Sequence, residues 1–216
     1  MRHILDTTTR LYDTASRVVE AVLFAPPMRR LVAYGVYGVL PVVLVAAIAL
    51  PQPWGYLLGV QAGSLAQALL LALLFLKPVA VVCGVRILRR GLVYRRPAGV
   101  AMAYVALFHF VETVQPALLF DARYYALRSH VIYGMAALAI TLLLALTSND
   151  RSVRWLRRWW LRVHRLAYPL LALVLVHSAL SGGEWSKLIV LLPIYGVLKI
   201  MEWRGVRIRV PIFSAQ

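Results

Sequence analysis

Cysteine is nearly absent: Cys83 is alone among 216 residues, which excludes an intrachain disulfide, a CxxC redox pair and a cysteine-based zinc site. As one residue of an apolar run, it is read as packing. Acidic side chains are scarce too, 8 against 24 lysines and arginines, for a formal net charge of +16. There is no GxGxxG or other glycine-rich strand-to-helix phosphate loop, and only residues 204–216 follow the last long apolar run. No segment of this chain is therefore expected to take a hydride from NAD(P)H. A secretory signal needs an early apolar stretch and a small-residue cleavage site, whereas the first long apolar run begins near Leu31. The N-terminus is expected to be retained, on the cytoplasmic side.

Apolar residues are abundant. They make up 62% of the chain and charged ones only 15%, outside the range of soluble domains. A membrane span needs about 20 apolar residues, and six can be drawn, at about 31–50, 63–85, 98–120, 131–147, 160–180 and 186–203. The expected fold is all-α: a polytopic six-helix transmembrane bundle over 31–203, preceded by an amphipathic segment, 1–30, and followed by a cytoplasmic tail, 204–216. In the first segment Leu11, Ala15, Val18 and Val22 recur at helical spacing opposite Arg10, Asp13 and Arg17, the pattern of a helix lying on the membrane surface. Asp6 is its candidate cap. Pro41, Pro78, Pro116, Pro169 and Pro193 fall inside five of the spans, as membrane bundles tolerate.

The basic residues set the orientation. They concentrate before the first span, between the second and third (Arg86, Arg89, Arg90, Arg95, Arg96), between the fourth and fifth (Arg151 to Arg165) and after the sixth. The opposite side has only Arg123, Arg128 and Lys187, and Lys77 lies within a span. The positive-inside rule then puts both termini in the cytoplasm of a multi-pass protein in a bacterial inner membrane. Short basic clusters between spans reflect topology and anionic lipid rather than nucleic acid, which is excluded as a partner. Lys77 is read as snorkelling to the inner interface, and the six tryptophans as an aromatic belt.

An imidazole inside a hydrocarbon-spanning helix is costly without a partner and marks a candidate functional site. His109 falls near mid-membrane on the third span, His164 toward the cytoplasm and His177 toward the far side on the fifth. Thirteen residues at about 1.5 Å each separate the last two by roughly 20 Å, so they belong to two sites, one per leaflet. Such an arrangement moves electrons across a membrane, and bis-imidazole coordination of a b-type haem suits histidines facing one another across a bundle. On an ideal helix His164 and His177 are out of phase, and Pro169 between them bends or rephases it. The alternative, histidines that only pack and hydrogen-bond, is weakened by finding three on two helices with no acidic proton relay beside them.

Glu112, one turn beyond His109, is a candidate to orient that ring or handle protons; the alternative is a carboxyl that is protonated or paired with a basic neighbour. Arg95 and Arg96, and on the other side Arg123 and Arg128, are candidate partners for haem propionates, against the simpler reading as topology signals. His3 and His130 are assigned solvated roles, His130 also standing as an alternative outer ligand or propionate partner.

Over about residues 51–202 the chain resembles the YedZ/MsrQ-type haem-binding membrane subunits of the ferric-reductase-like transmembrane group. The resemblance rests on Gln61-Ala-Gly-Ser-Leu-Ala leading to Leu76-Lys-Pro78, Tyr94-Arg-Arg-Pro-Ala-Gly99 opening the helix with Phe108-His-Phe110, and Arg128-Ser-His-Val-Ile-Tyr-Gly134. It continues through Leu144-Ala-Leu-Thr-Ser148 and Trp160-Leu-Arg-Val-His-Arg-Leu-Ala-Tyr168, with His177 thirteen residues after His164. The chain departs from the pattern in its longer basic N-terminus, in Glu112 and in Lys77.

The resemblance implies a six-helix cytochrome b passing electrons from a membrane quinol or a cytoplasmic flavin reductase to a periplasmic molybdopterin reductase that repairs oxidised methionines. It implies haem b, one or two per chain, ligated by His109, His164 and His177, and associates FMN with such subunits without residues to assign to it. On this reading the chain is an electron-transfer subunit rather than a self-contained enzyme. His109 and His177 are the preferred axial pair because their predicted depths are closest, and His164 serves a second, inner haem whose other ligand is not named. Two rival expectations are a transmembrane ferric or other metal reductase and a haem-free transporter or assembly subunit.

Overall fold

A computed structural model describes residues 14, 15, 17–49, 54–114, 119, 121, 123, 128–183 and 185–208. The Asp6 cap, His3, Pro116, the amphipathic pattern before residue 14 and the Lys187 side chain lie outside the described residues. Those described are helical, with no strand among them. Residues 17–23 form a short helix. Then come α1 (Pro26–Ala49), α2 (Gly55–Val82), α3 (Arg86–Gly91), α4 (Arg95–Thr113), α5 (Ser129–Leu146), α6 (Asp150–Leu156), α7 (Arg158–His164), α8 (Ala167–Leu180) and α9 (Trp185–Trp203). Among the described residues four stretches are long and apolar enough to cross a membrane: Pro26–Ala49, Gly55–Val82, Ser129–Leu146 and, taking α7 and α8 together, Arg158–Leu180. The protein is an integral membrane protein with an all-helical fold.

The second span starts at Gly55 rather than near residue 63, because after Pro53 nothing interrupts the apolar run. Proline accounts for two irregularities. Pro41 has no N–H to offer the Tyr37 carbonyl, and the turn before it, Gly35–Val39, widens to a π-helix. Pro169 likewise cannot donate to the Arg165 carbonyl, and its ring crowds that group. The helix breaks there: Arg165 and Leu166 form a turn, with Leu166 N–H bonding to the Val163 carbonyl at 3.0 Å. His164 ends α7 while His177 sits near the end of α8.

Beyond His177 the chain closes α8 with Gly182 in the left-handed region (φ 74°). The Ser181 and Gly183 N–H groups bond back to the His177 and Ser178 carbonyls, each at 2.9 Å, so the last turn is satisfied. At the other end of the bundle, Asn149 accepts from the Ser152 N–H at 2.8 Å and starts α6.

Helix α2 packs chiefly against α4, and α5 against α8; α9 leans on α2, and α1 on α4. The core between them is Leu70, Leu74, Met102, Ala137, Leu170, Leu171, Leu188 and Tyr195. Many other apolar side chains, such as Val42, Leu57 and Val190, point outward and are exposed, which suits a surface covered by lipid. The α2–α4 contact is close because Gly55, Gly59 and Gly63 recur every fourth residue on one face of α2, and small residues let helix backbones approach. A Cβ at Gly59 would stand 2.6 Å from the Glu112 Cβ and 2.8 Å from the Thr113 Cγ2.

Ionic contacts tie the basic end. Glu20, 3% exposed, accepts from Arg86 Nε at 3.0 Å and Arg90 Nη1 at 2.9 Å. Beside it the Tyr94 hydroxyl donates to the Leu23 carbonyl and the Tyr94 ring stacks on Phe24. Lys77 pairs with Glu202 of α9 at 2.8 Å, and Lys199 holds the other oxygen of the same carboxylate at 2.7 Å. Lys77 therefore ends on a counter-ion. The Ile208 N–H bonds to the Val82 carbonyl at 2.8 Å, holding the segment after α9 to the end of α2.

Candidate haem site

Two of the three membrane histidines come together. His109 on α4 and His177 on α8 face each other with ring centroids 6.2 Å apart and planes at 75°. Each ring hydrogen-bonds through Nδ1 to a main-chain carbonyl: His109 to Gly59 of α2 at 2.8 Å, and His177 to His130 of α5 at 2.7 Å. Because a carbonyl only accepts, both rings carry the proton on Nδ1, which leaves the Nε2 lone pair for a ligand. Four helices thus contribute to one arrangement, two giving a ring and two giving an acceptor.

Glycine makes room for each ring. A Cβ at Gly63 would lie 2.8 Å from His109 Nδ1, and one at Gly134 would lie 2.8 Å from His177 Nδ1. Around the rings is a cavity of about 500 Å³, within the roughly 300–1,000 Å³ of cofactor sites. Its walls are mostly apolar, among them Leu70, Met102, Leu138 and Val174. Tyr56, Thr113, His130 and Ser181 supply polar groups toward one end.

The donor set fits a bis-imidazole iron. Two metal–nitrogen bonds of about 2 Å, plus about 1.2 Å from each nitrogen to its ring centre, put coordinated imidazole centroids at roughly 6.4 Å, close to the observed 6.2 Å. Among the described residues no group of three or more His, Cys, Asp or Glu side chains gathers as a metal cage; what the site offers is a pair of imidazole donors.

His164 stands elsewhere. Its Nε2 is 3.3 Å from the Thr147 hydroxyl, and its ring lies against Trp160 with centroids 4.0 Å apart. Trp160 in turn donates its indole N–H to the Thr147 carbonyl at 2.9 Å, while Arg96, paired with Asp150, sits 5.8 Å above the indole. Arg95 and Arg96 are within electrostatic reach of the His164 ring; neither lines the cavity between His109 and His177. Trp160 therefore has a specific neighbour beyond its place in an aromatic belt. Glu112 does not bond the His109 ring, whose partner is the Gly59 carbonyl; its carboxylate lies over Gly55, where a Cβ would come within 2.5 Å of Oε2.

Sequence reasoning missed the seats of the two rings. Gly63 and Gly134 lie within the short motifs already singled out, and the four-residue spacing of Gly55, Gly59 and Gly63 is a readable sign of close helix packing.

Residues 62–175 match the family described as the ferric reductase like transmembrane component. The protein-methionine-sulfoxide reductase heme-binding subunit MsrQ of Rhizobium meliloti (strain 1021) is 32% identical over 185 residues, 74% of this chain and 80% of the relative. The proteins of the same name from Brucella ovis and Brucella canis are each 33% identical over 130 residues, 57% of this chain and 56% of theirs. No solved structure gives a significant match. The chain belongs to the ferric-reductase-like transmembrane family, in the group of the MsrQ proteins.

Proposed function

We propose that this chain is a haem-binding electron-transfer subunit serving the reduction of methionine sulfoxide in proteins. The observation that carries this reading is the His109–His177 pair, two imidazoles with Nδ1 committed to carbonyls and their ring centres 6.2 Å apart across an apolar cavity. The names of the relatives, which bind haem and belong to a methionine-sulfoxide reductase, support it. A haem b bound there supplies one-electron Fe(III)/Fe(II) chemistry.

The chain's own residues do the rest. His109 and His177 would hold the group through Nε2, the ring nitrogen that their Nδ1 bonds leave for a ligand. The Gly59 and His130 carbonyls hold a proton on each Nδ1, fixing the tautomer and raising the basicity of the donor nitrogen. Leu70, Met102 and Val174 line the cavity with apolar surface and would exclude water from a group bound there. The Gly59 carbonyl fills the ring-orienting role, which leaves for Glu112 either proton handling at its end of α4 or a carboxyl that is protonated or paired with a basic neighbour. His164, with Arg95 and Arg96 nearby, marks the inner station, either a second haem or the point where electrons enter.

In this reading six helices span a bacterial inner membrane over residues 31–203, with the segment before them on the inner surface and both termini cytoplasmic. Electrons come from a quinol or a cytoplasmic flavin reductase, FMN being one carrier to test, and leave to a periplasmic molybdopterin reductase. The basic residues at the α3 and α6 ends support the orientation. The paired, oriented rings favour this reading over a haem-free transporter. The test is an optical spectrum of the purified protein: a Soret band with the sharp α and β bands of low-spin haem is expected on reduction. A protein purified from haem-replete cells without a Soret band would sink the proposal.

A further inference from the structure

Among the described residues, one side-chain amide stands in the wall of the cavity between His109 and His177, that of Gln67. It lies on α2, one turn beyond Gly63, the residue that seats His109. Its Oε1 accepts from the hydroxyl of Ser178 at 3.0 Å, and Ser178, buried at 7% exposure, directly follows His177 on α8. This contact joins the helix that seats one histidine to the helix that bears the other. With the hydroxyl donating to Oε1, the NH2 end is the part of the amide left for the cavity that Gln67 lines. No protein acceptor takes a hydrogen bond from it among the described residues.

An amide donor left unmatched in a mostly apolar wall costs free energy unless something in the cavity accepts from it. Thr141, another polar residue of that wall, differs: its hydroxyl is already spent on the Ala137 carbonyl at 2.8 Å. We propose that Gln67, held by Ser178, is a positioning and tuning residue for the group bound between His109 and His177, its amide N–H being the polar donor that the cavity wall would offer to that group. The inference rests on the haem reading above. The positive end of the amide dipole then favours the more electron-rich, reduced state and raises the reduction potential. The bond to Ser178 keeps that dipole from rotating and holds α2 and α8 at the spacing that sets the gap between the rings.

The test is a spectroelectrochemical titration of the haem-loaded protein in detergent or nanodiscs. Gln67→Leu, which keeps the volume and removes the dipole, is expected to retain the Soret band and haem content while lowering the midpoint potential. Ser178→Ala is expected to lower it less, and Ser178→Thr, which keeps the hydroxyl, to restore the parent value. Should Gln67→Leu fail to fold, the Ser178→Ala and Ser178→Thr comparison carries the test alone. Haem-loaded variants titrating at the parent potential would overturn the role of Gln67 and leave the histidine pair standing. A parent protein without a Soret band would overturn both, and so the two failures are distinguishable.

Discussion

His109 and His177 reach the same 6.2 Å meeting point from different helices, one near the end of α4 and one near the end of α8. The helix that carries His177, α8, is separated from α7 by the turn at Arg165 and Leu166.

Replacing either ring tests the pair directly. His109→Ala and His177→Ala are each expected to abolish the low-spin spectrum, and the double variant to bind no haem at this site. His164→Ala is expected to keep that spectrum, since its ring packs on Trp160 rather than in the cavity. Pyridine haemochrome assays beside absorption spectra measure both, and a double variant that keeps the parent's full haem content and low-spin band would refute the assignment.

The glycine seats make a sharper prediction. Gly63→Ala and Gly134→Ala each put a carbon 2.8 Å from an imidazole nitrogen, too close for either ring to stay where it is. Both are expected to cost at least tenfold in haem retention, or to convert the iron to a high-spin form. Gly99→Ala and Gly196→Ala, where a Cβ meets nothing within 4 Å, are expected to leave the spectrum unchanged and to gain a few tenths of a kcal/mol in helix stability.

Glu20 is a nearly buried carboxylate between two arginines that are about half exposed. Glu20→Ala removes the shared counter-ion. Because Arg86 and Arg90 still reach solvent, the loss is expected at about 1–2 kcal/mol rather than that of a fully buried pair. Limited proteolysis near residues 17–25 is expected to speed up, with the haem spectrum unchanged.

Lys77 and Lys199 share Glu202, and each takes one oxygen. Lys77→Met or Lys199→Met alone leaves the carboxylate with a partner and is expected to cost under about 1 kcal/mol. The double variant is expected to cost more than the sum, because Glu202, 11% exposed on its side chain, then has no cation. Thermal unfolding of the four proteins closes the cycle, and strict additivity would argue against a shared carboxylate.

Much of this was legible from residue order. Apolar runs of spanning length report helices because lipid cannot satisfy a bare backbone, and the histidines stood out because imidazole is costly in such runs. Lys77 and the Glu112 carboxyl were visible as anomalies, but not their neighbours, since contacts between α2, α4 and α9 depend on helix rotation. Pro169 signalled a disturbance; that it separates α7 from α8 required seeing the turn at Arg165. The acceptors of the two Nδ1 bonds had no signature at all, because every residue has a carbonyl and only the fold chooses Gly59 and His130.

That choice has a consequence for mutation. A ring oriented by an aspartate loses its orientation when the aspartate is replaced, whereas a peptide carbonyl persists whatever side chain is attached to it. Because both imidazoles here lean on the main chain, ring orientation is inherited with the helices themselves and is buffered against point substitution at position 130. At position 59 the constraint is one of space. The weak points of the centre are thus steric, concentrated in the few glycines that let the helices close up.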